Sequence, residues 1–291
     1  MKKLFKIVGI IVLIIFLLII GFGFYTYKTN PTIKAMVNND ESKLYYFPRK
    51  DMRDMSHLAF TEKSLPVADS VKIQTYFFKA ATSTPKANIF LVHGAGGNVT
   101  YYQDLIQTLI KGNYNVYTVD WRGYGKSVGS PNYKGVMQDT QVAFKDFINL
   151  TQSDSLKKLV YGMSLGGQMA VKIVSENQNL IDALVLEGSF SSAQNIAIDY
   201  SPVSFLKQKA KESPQDFNQE YVAERDIKNI KNTPKLIIHS EVDKEVAFYH
   251  GQLIYDHAQE PKEFWKTRTK HITTLKELPQ ETIAKIDKLI L

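Results

Sequence analysis

One turn limits what this chain can fold into more than any other stretch. Residues 160–171 read VYGMSLGGQMAV, and a β-favouring run, LKKLVYG, leads into them. A strand that passes into a helix through so tight a turn holds its central residue in strained backbone geometry, so the residues two before and two after must be small. Gly162 and Gly166 meet that need around Ser164. The pattern is G-x-S-x-G, the nucleophile elbow, which lifts a serine Oγ clear of a sheet edge with a helix N-terminus beneath it. The same five residues can also be a glycine-rich turn whose serine only caps a helix. The rest of the chain has to separate these readings.

Around the turn, strand-like and helix-like segments alternate. LAFTEK and VKIQTYFF read as strands, the second with period 2, and NIFLVHG as a short buried strand. YYQDLIQTLIKGN predicts a helix ending at Gly112, and YNVYTVD the next strand. VMQDTQVAFKDFINL has helical spacing, with Val136, Thr140, Ala143, Phe147 and Leu150 on one face. LKKLVYG, the helix after Ser164, ALVLEG, a mixed stretch over 189–232, KLIIHS, the helix VAFYHGQLIYDHA, KEFWKTR and a last helix QETIAKIDKLIL complete the series. Strands separated by helices indicate βαβ units: an α/β fold with a mainly parallel sheet of about eight strands and helices on both faces.

Open parallel sheets bind ligands beyond the carboxyl ends of their strands, so chemical residues should follow strands. Four sites pass this filter: His93-Gly94-Ala95-Gly96-Gly97-Asn98 after NIFLV, Ser164, Asp243 after KLIIHS, and His271 shortly after KEFWKTR. Asp120 and Glu187 also end strands. Two other motifs fail on spacing. GYGKS lacks the P-loop's first glycine, since position 120 is Asp, and GAGGNV ends in Val99 where a dinucleotide fingerprint needs glycine. The six histidines show no H-E-x-x-H and no i, i+4 pair, so no metal site is expected.

Ser164, Asp243 and His271 occur in the order Ser…Asp…His, and a serine hydroxyl needs an imidazole base oriented by a carboxylate before it can attack. Taken singly, Asp243 could be a helix cap and His271 a surface loop residue. LVHGAGGN, VDWRGYGKSVGSP, VYGMSLGG, VLEGSFSS, LIIHSEVDKEVAFYHGQLIY and TKHITTL resemble, in order and spacing, the α/β-hydrolase-domain serine hydrolases, particularly a small membrane-associated branch related to Bem46. The resemblance covers roughly residues 57–291. It implies the α/β-hydrolase fold, with Ser164 as nucleophile, Asp243 as acid and His271 as base. The backbone N–H groups of Ala95 and Leu165 would form the oxyanion hole, and His93 and an Asp120–Arg122 pair would hold loops. Glu187 is the alternative acid, because some members of the fold supply the carboxylate from that strand end. The chain departs from the family where Lys270, not glycine, precedes His271, where HSEVD surrounds Asp243, and where SLPVADS forms an early hairpin.

Residues 4–24 are apolar apart from Lys6, with Lys2 and Lys3 ahead and Tyr25 and Tyr27 behind. The lysine bias places the N-terminus in the cytoplasm and the rest outside; a cleaved signal peptide is the alternative, though FGFYTYKTNP offers no small-residue cleavage site. Lys2, Lys3, Lys6 and Lys28 supply four of the net +7, leaving about +3 for the remainder, so nucleic-acid binding is not expected. With no cysteine, disulfides, thiolate metal sites and a cysteine nucleophile are excluded.

The expected organisation is a short cytoplasmic N-terminus (1–3), a transmembrane signal-anchor (4–24), a stalk (25–56) and an α/β-hydrolase domain (57–291) with a small cap over 188–232. The expected activity is hydrolysis of a carboxylic ester or thioester, on lipid-like acyl substrates by proximity to the membrane, without a cofactor. A catalytically silent binding or scaffold module and a serine peptidase or C–C hydrolase on the same fold are the alternatives.

Overall fold

The computed structural model describes residues 2–30, 34, 40–68, 70–201 and 203–291. Met1 of the expected tail, 31–33 and 35–39 of the expected stalk, Asp69 of the early hairpin and Pro202 of the cap lie outside the described residues. The chain divides into two units, Met1–Phe47 and Pro48–Leu291. In the first, Lys2–Thr29 forms one continuous helix, α1, with a mean hydropathy of 3.2 over its most apolar window and no buried residue. At 1.5 Å per residue it is about 40 Å long, enough by length and composition to cross a hydrocarbon core of about 30 Å.

In the second unit eight strands form one sheet. They are β1 (Phe60–Ala68), β2 (Val71–Phe78), β3 (Ala87–Val92), β4 (Tyr114–Asp120), β5 (Lys157–Met163), β6 (Ala183–Glu187), β7 (Lys235–Ser240) and β8 (Lys262–Thr267). Their spatial order is β8-β7-β6-β5-β3-β4-β2-β1. Strands β3 to β8 pair in parallel, whereas β2 is antiparallel to both β1 and β4. The SLPVADS segment extends β1 as far as Ala68, with a register shift between Pro66 and Ala68. The order reverses between β3 and β5, the position at which such sheets form a ligand crevice. Ala95 follows β3 and Ser164 follows β5.

The principal helices of this unit are α2 (Gln103–Lys111), α3 (Tyr133–Thr151), α4 (Leu165–Glu176), α5 (Ala193–Tyr200), α6 (Ser204–Glu212), α7 (Phe248–His257) and α8 (Pro279–Leu289). The sheet is covered on both faces, which is why β3 reads as a continuous apolar run and is buried at every residue. Ile89 and Leu91 join a cluster with Leu105, Ile106 and Leu109 of α2 and Ile286 of α8, while Phe90 packs on Phe144 and Phe147 of α3. Each such side chain contributes about 1.5–3 kcal/mol when fully buried. On α3, Val136, Thr140, Ala143 and Phe147 are buried as expected, but Leu150 is 48% exposed. Thr151 takes the last place on that face, one turn on from Phe147, whose carbonyl accepts its hydroxyl hydrogen bond at 2.8 Å.

Residues 48–56 belong to the second unit, not to a stalk. The Arg49 N–H donates to Gly97 O at 2.9 Å, and Asn98 Nδ2 donates to Arg49 O at 2.9 Å and to Asp51 O at 2.8 Å. Gly125 N–H also donates to Arg49 O, and Met55 and Leu58 enter the core. The segment is polar and aperiodic, so nothing in its sequence pattern announces that distant loops will satisfy its backbone. Between β6 and β7, α5 and α6 with short helical turns make up the region expected as the cap.

Candidate active site

Ser164 stands between β5 and α4 with φ 50° and ψ −119°, a left-handed conformation that costs a non-glycine residue about 1–3 kcal/mol. The glycines two positions either side are there because of close contacts. A Cβ on Gly162 would lie 2.5 Å from Ala170 Cβ, and one on Gly166 would lie 2.2 Å from Val92 O and 2.3 Å from His93 O. Ser164 occupies the cap position of α4 but makes no side-chain capping bond, which removes the reading of a serine present only to cap a helix. Its N–H donates to Glu187 O at 2.9 Å.

Asp243 lies in the loop after β7. Its Oδ1 accepts the amides of Glu245 and Val246, both at 2.9 Å, and its Oδ2 faces His271 Nδ1 at 2.7 Å. A carboxylate can only accept, so Nδ1 carries a proton toward Asp243, and in the neutral imidazole Nε2 is then the nitrogen with the lone pair. Burial alone would raise the Asp243 pKa; the bond and charge of His271, with the two amides, more than offset this and hold it below the ordinary carboxylate value. The His271 loop is fixed by Ser240 Oγ donating to Thr269 O at 2.6 Å, and by Thr274 N–H donating to Glu187 Oε1 at 2.6 Å. Gly188 adjoins the imidazole, since a Cβ there would lie 3.1 Å from His271 Nδ1 and Cε1. Ser164 and His271 therefore both abut the Glu187–Gly188 segment.

Glu187 does not face the imidazole as a hydrogen-bond partner. Besides the Thr274 amide it accepts from Tyr161 OH at 2.5 Å, and burial pushes its pKa up against the lowering effect of those bonds. Its two oxygens are occupied by a strand tyrosine and a loop backbone.

The loop after β3 lies against the elbow: a Cβ on Gly94 would be 3.4 Å from Ser164 Cβ and 3.1 Å from Tyr102 OH. The Leu165 N–H, in the first turn of α4, belongs to the set of helix amides that no intrahelical carbonyl can satisfy. His93 is buried against Trp121, with ring centroids 4.3 Å apart, and burial lowers its pKa to about 4, so it is a neutral imidazole. Its Nδ1–H donates to Gly94 O at 2.7 Å. Asp120 accepts the Val99 amide at 2.7 Å, and burial raises its pKa to about 7.

Asp120 and Arg122, the motif positions expected to hold loops, do so through separate partners, Asp120 through the Val99 amide. Arg122 grips Asp139 of α3, with Nη2 to Oδ1 at 2.7 Å and Nε to Oδ2 at 3.0 Å, because the chain turns sharply after Asp120 and aims the guanidinium at the helix. Lys270 is exposed. Sequence reasoning missed Tyr102, Tyr124, Tyr161 and Thr274, whose roles are bonds to distant backbone or side chains. Among the described residues no three metal-binding side chains converge.

A family model described as serine aminopeptidase, S33, matches residues 83–215. The uncharacterized protein YfhR of Escherichia coli K12 is 26% identical over 222 residues, 75% of each chain. Protein bem46 of Schizosaccharomyces pombe is 28% identical over 65% of this chain and 62% of its own, and the mouse lysophosphatidylserine lipase ABHD12 is 28% identical over 65% and 49%. Among solved structures, the Pyrococcus furiosus esterase Pf2001 superposes with a TM-score of 0.66 at 19% identity, covering 84% of this chain and 98% of that one. With the motifs, the reversed sheet order and the elbow already described, these likenesses give the chain the α/β-hydrolase fold and make it similar to the Bem46-related α/β-hydrolases.

Proposed function

We propose that this chain is a membrane-anchored serine hydrolase that cleaves carboxylic esters or thioesters through an acyl-enzyme. Ser164 is the nucleophile, His271 the base, Asp243 the orienting acid, and the Ala95 and Leu165 amides the oxyanion hole. The observation that carries the reading is the His271–Asp243 bond of 2.7 Å, which sets Nε2 as the basic nitrogen of the neutral imidazole, in a loop that abuts the same Glu187–Gly188 segment as a serine raised on a strained elbow. Nε2 takes the Ser164 Oγ proton as Oγ attacks the acyl carbon, and the carbonyl becomes an alkoxide. Amides aimed at that alkoxide are commonly worth about 3–4 kcal/mol of barrier. The imidazolium then gives its proton to the departing alcohol or thiol, and water repeats the sequence in reverse to free the acid.

The N-terminal apolar helix favours lipid-like acyl substrates by proximity to a membrane, the short cap favours an open groove over the large cover of a long-chain lipase, and a relative that carries the name lysophosphatidylserine lipase supports the lipid-like class. The anchor is read with its N-terminus in the cytoplasm and the catalytic unit outside. A peptidase is the second reading, favoured by the description of the family model. The test is labelling with a fluorophosphonate probe followed by a panel of p-nitrophenyl esters, lysophospholipids, acyl-thioesters and aminoacyl amides. Covalent labelling of the wild type at Ser164, absent in Ser164→Ala, is expected; a folded wild type that never labels returns the chain to a scaffold role.

A further inference from the structure

The loop between β3 and α2 has its backbone polar groups engaged in a specific pattern. Four successive carbonyls are held: Gly94 O by His93 Nδ1–H at 2.7 Å, Ala95 O by Tyr124 OH at 2.6 Å, Gly96 O by Tyr102 OH at 2.9 Å and Gly97 O by Arg49 N–H at 2.9 Å. Tyr102 acts twice, because its hydroxyl also accepts the Gly94 N–H at 3.1 Å. The three side chains share one aromatic cluster. His93 lies 5.3 Å from the Tyr102 ring and 5.4 Å from the Tyr124 ring, and Trp121 packs on His93 and Tyr124.

A trans peptide points its carbonyl and its N–H in opposite directions. Holding Gly94 O toward His93 therefore turns the Ala95 N–H away from the cluster, and diverting the Gly94 N–H to Tyr102 takes that amide out of contention. The Tyr102 hydroxyl sits where the loop meets the elbow, since the same virtual Cβ on Gly94 that touches it also touches Ser164 Cβ. Burial raises the phenol's pKa and keeps it a protonated donor.

We propose that Tyr102 is a positioning residue of the oxyanion hole: by bridging Gly94 N–H and Gly96 O it fixes the loop so that the Ala95 amide is the one presented to the reacting carbonyl. Tyr124 supports it from the neighbouring carbonyl. This rests on the serine-hydrolase reading and adds to it a residue outside the triad. The hydroxyl does not touch the reacting atoms; its effect passes through the direction of one peptide plane, so it acts on the tetrahedral state and leaves ground-state binding alone.

The test uses the full chain in detergent, with a short p-nitrophenyl ester as substrate and an alkyl boronic acid as a mimic of the tetrahedral adduct. Tyr102→Phe keeps the ring and its packing on His93 and removes both hydrogen bonds. Loss of one oxyanion donor costs about 10²–10³ in kcat, so misaiming one should lower kcat by about 10- to 100-fold with KM little changed. The boronic acid's affinity should fall by a similar factor, while the affinity of the product carboxylate stays at the wild-type value. Tyr124→Phe should show the same paired loss at smaller size, and it carries the test should Tyr102→Phe fail to fold. Wild-type kcat in the variants, or a fall in kcat with boronic acid affinity unchanged, overturns the proposal. Failure of the underlying reading shows itself separately, as a wild-type chain that does not label at Ser164.

Discussion

The Glu187 carboxylate and the Thr274 amide are joined at 2.6 Å, a bond that ties the end of β6 to the loop carrying His271. Two buried carboxylates thus serve one histidine differently. Asp243 meets the imidazole itself, and Glu187 meets the backbone three residues later. The division decides which acid a substitution should expose as chemically necessary.

Asp243→Asn should lower kcat by roughly 10⁴-fold with the far-ultraviolet circular dichroism unchanged, since an amide in that place permits the wrong tautomer. Glu187→Gln keeps an acceptor for the Thr274 amide and should cost less than about 10-fold. Steady-state kinetics on the two purified variants checks this; a larger loss in Glu187→Gln transfers the orienting role to Glu187.

Glu187 also gives a pH dependence of stability. Its folded pKa is raised above the ordinary 4.5, chiefly by burial, so the favourable contribution of the protonated form is complete below the unfolded value and is lost as pH rises through the folded one. Glu187→Gln removes that titration. The melting temperature of the variant should therefore gain on the wild type as pH rises above about 4.5, measured by calorimetry across pH 4 to 8. A constant difference across the series would mean that Glu187 does not titrate there.

Two glycines near Ser164 should behave in opposite ways. Gly166→Ala drives a Cβ to 2.2 Å from the Val92 carbonyl, a backbone atom that cannot swing aside, whereas a Cβ on Gly96 meets nothing within 4 Å. Gly166→Ala should abolish probe labelling or soluble expression, and Gly96→Ala should retain labelling within a factor of about 3, the scale of an ordinary surface change. Equal behaviour of the pair would show the elbow to be looser than its contacts imply.

The buried pair of Arg122 and Asp139 predicts a stability loss unrelated to chemistry. Their side chains are 11% and 0% exposed, and removing one partner strands the other charge. Asp139→Ala should cost about 3–5 kcal/mol in urea unfolding. A loss below about 1 kcal/mol, the range of exposed ion pairs, would contradict this.

Topology is tested directly. Protease added to intact cells should digest the catalytic unit, and the purified chain should still begin at or near Met1. An N-terminus near residues 25–36 would replace the anchor with a cleaved signal.

The legible parts of this fold are those that local sterics or periodicity write into adjacent residues. Gly162 and Gly166 are needed by contacts within a few ångströms of Ser164, so the elbow could be read from five letters. Asp243 and His271 follow recognisable strands in a diagnostic order. Tyr102 and Thr274 carry no such mark, because their partners are backbone groups whose positions exist only once the chain has folded. Leu150 was misplaced because two candidates, Leu150 and Thr151, lie one turn beyond Phe147, and apolarity chose the wrong one. Arg122 reads from its motif as a loop-holding residue, but its partner Asp139 lies on the following helix and is marked by nothing in the sequence.

The Arg49–Gly97 bond sets a lower limit on any released form of this protein. A cut before Pro48 sheds α1 and leaves the 94–97 loop with all four of its carbonyls satisfied. A cut only a few residues later, between Asp51 and Arg53, severs the strap that the loop leans on and strips Asn98 of both its acceptors. Proteolysis of the same exposed segment can therefore either release the second unit with this loop intact or unpick the loop, and the choice turns on a window of a few peptide bonds.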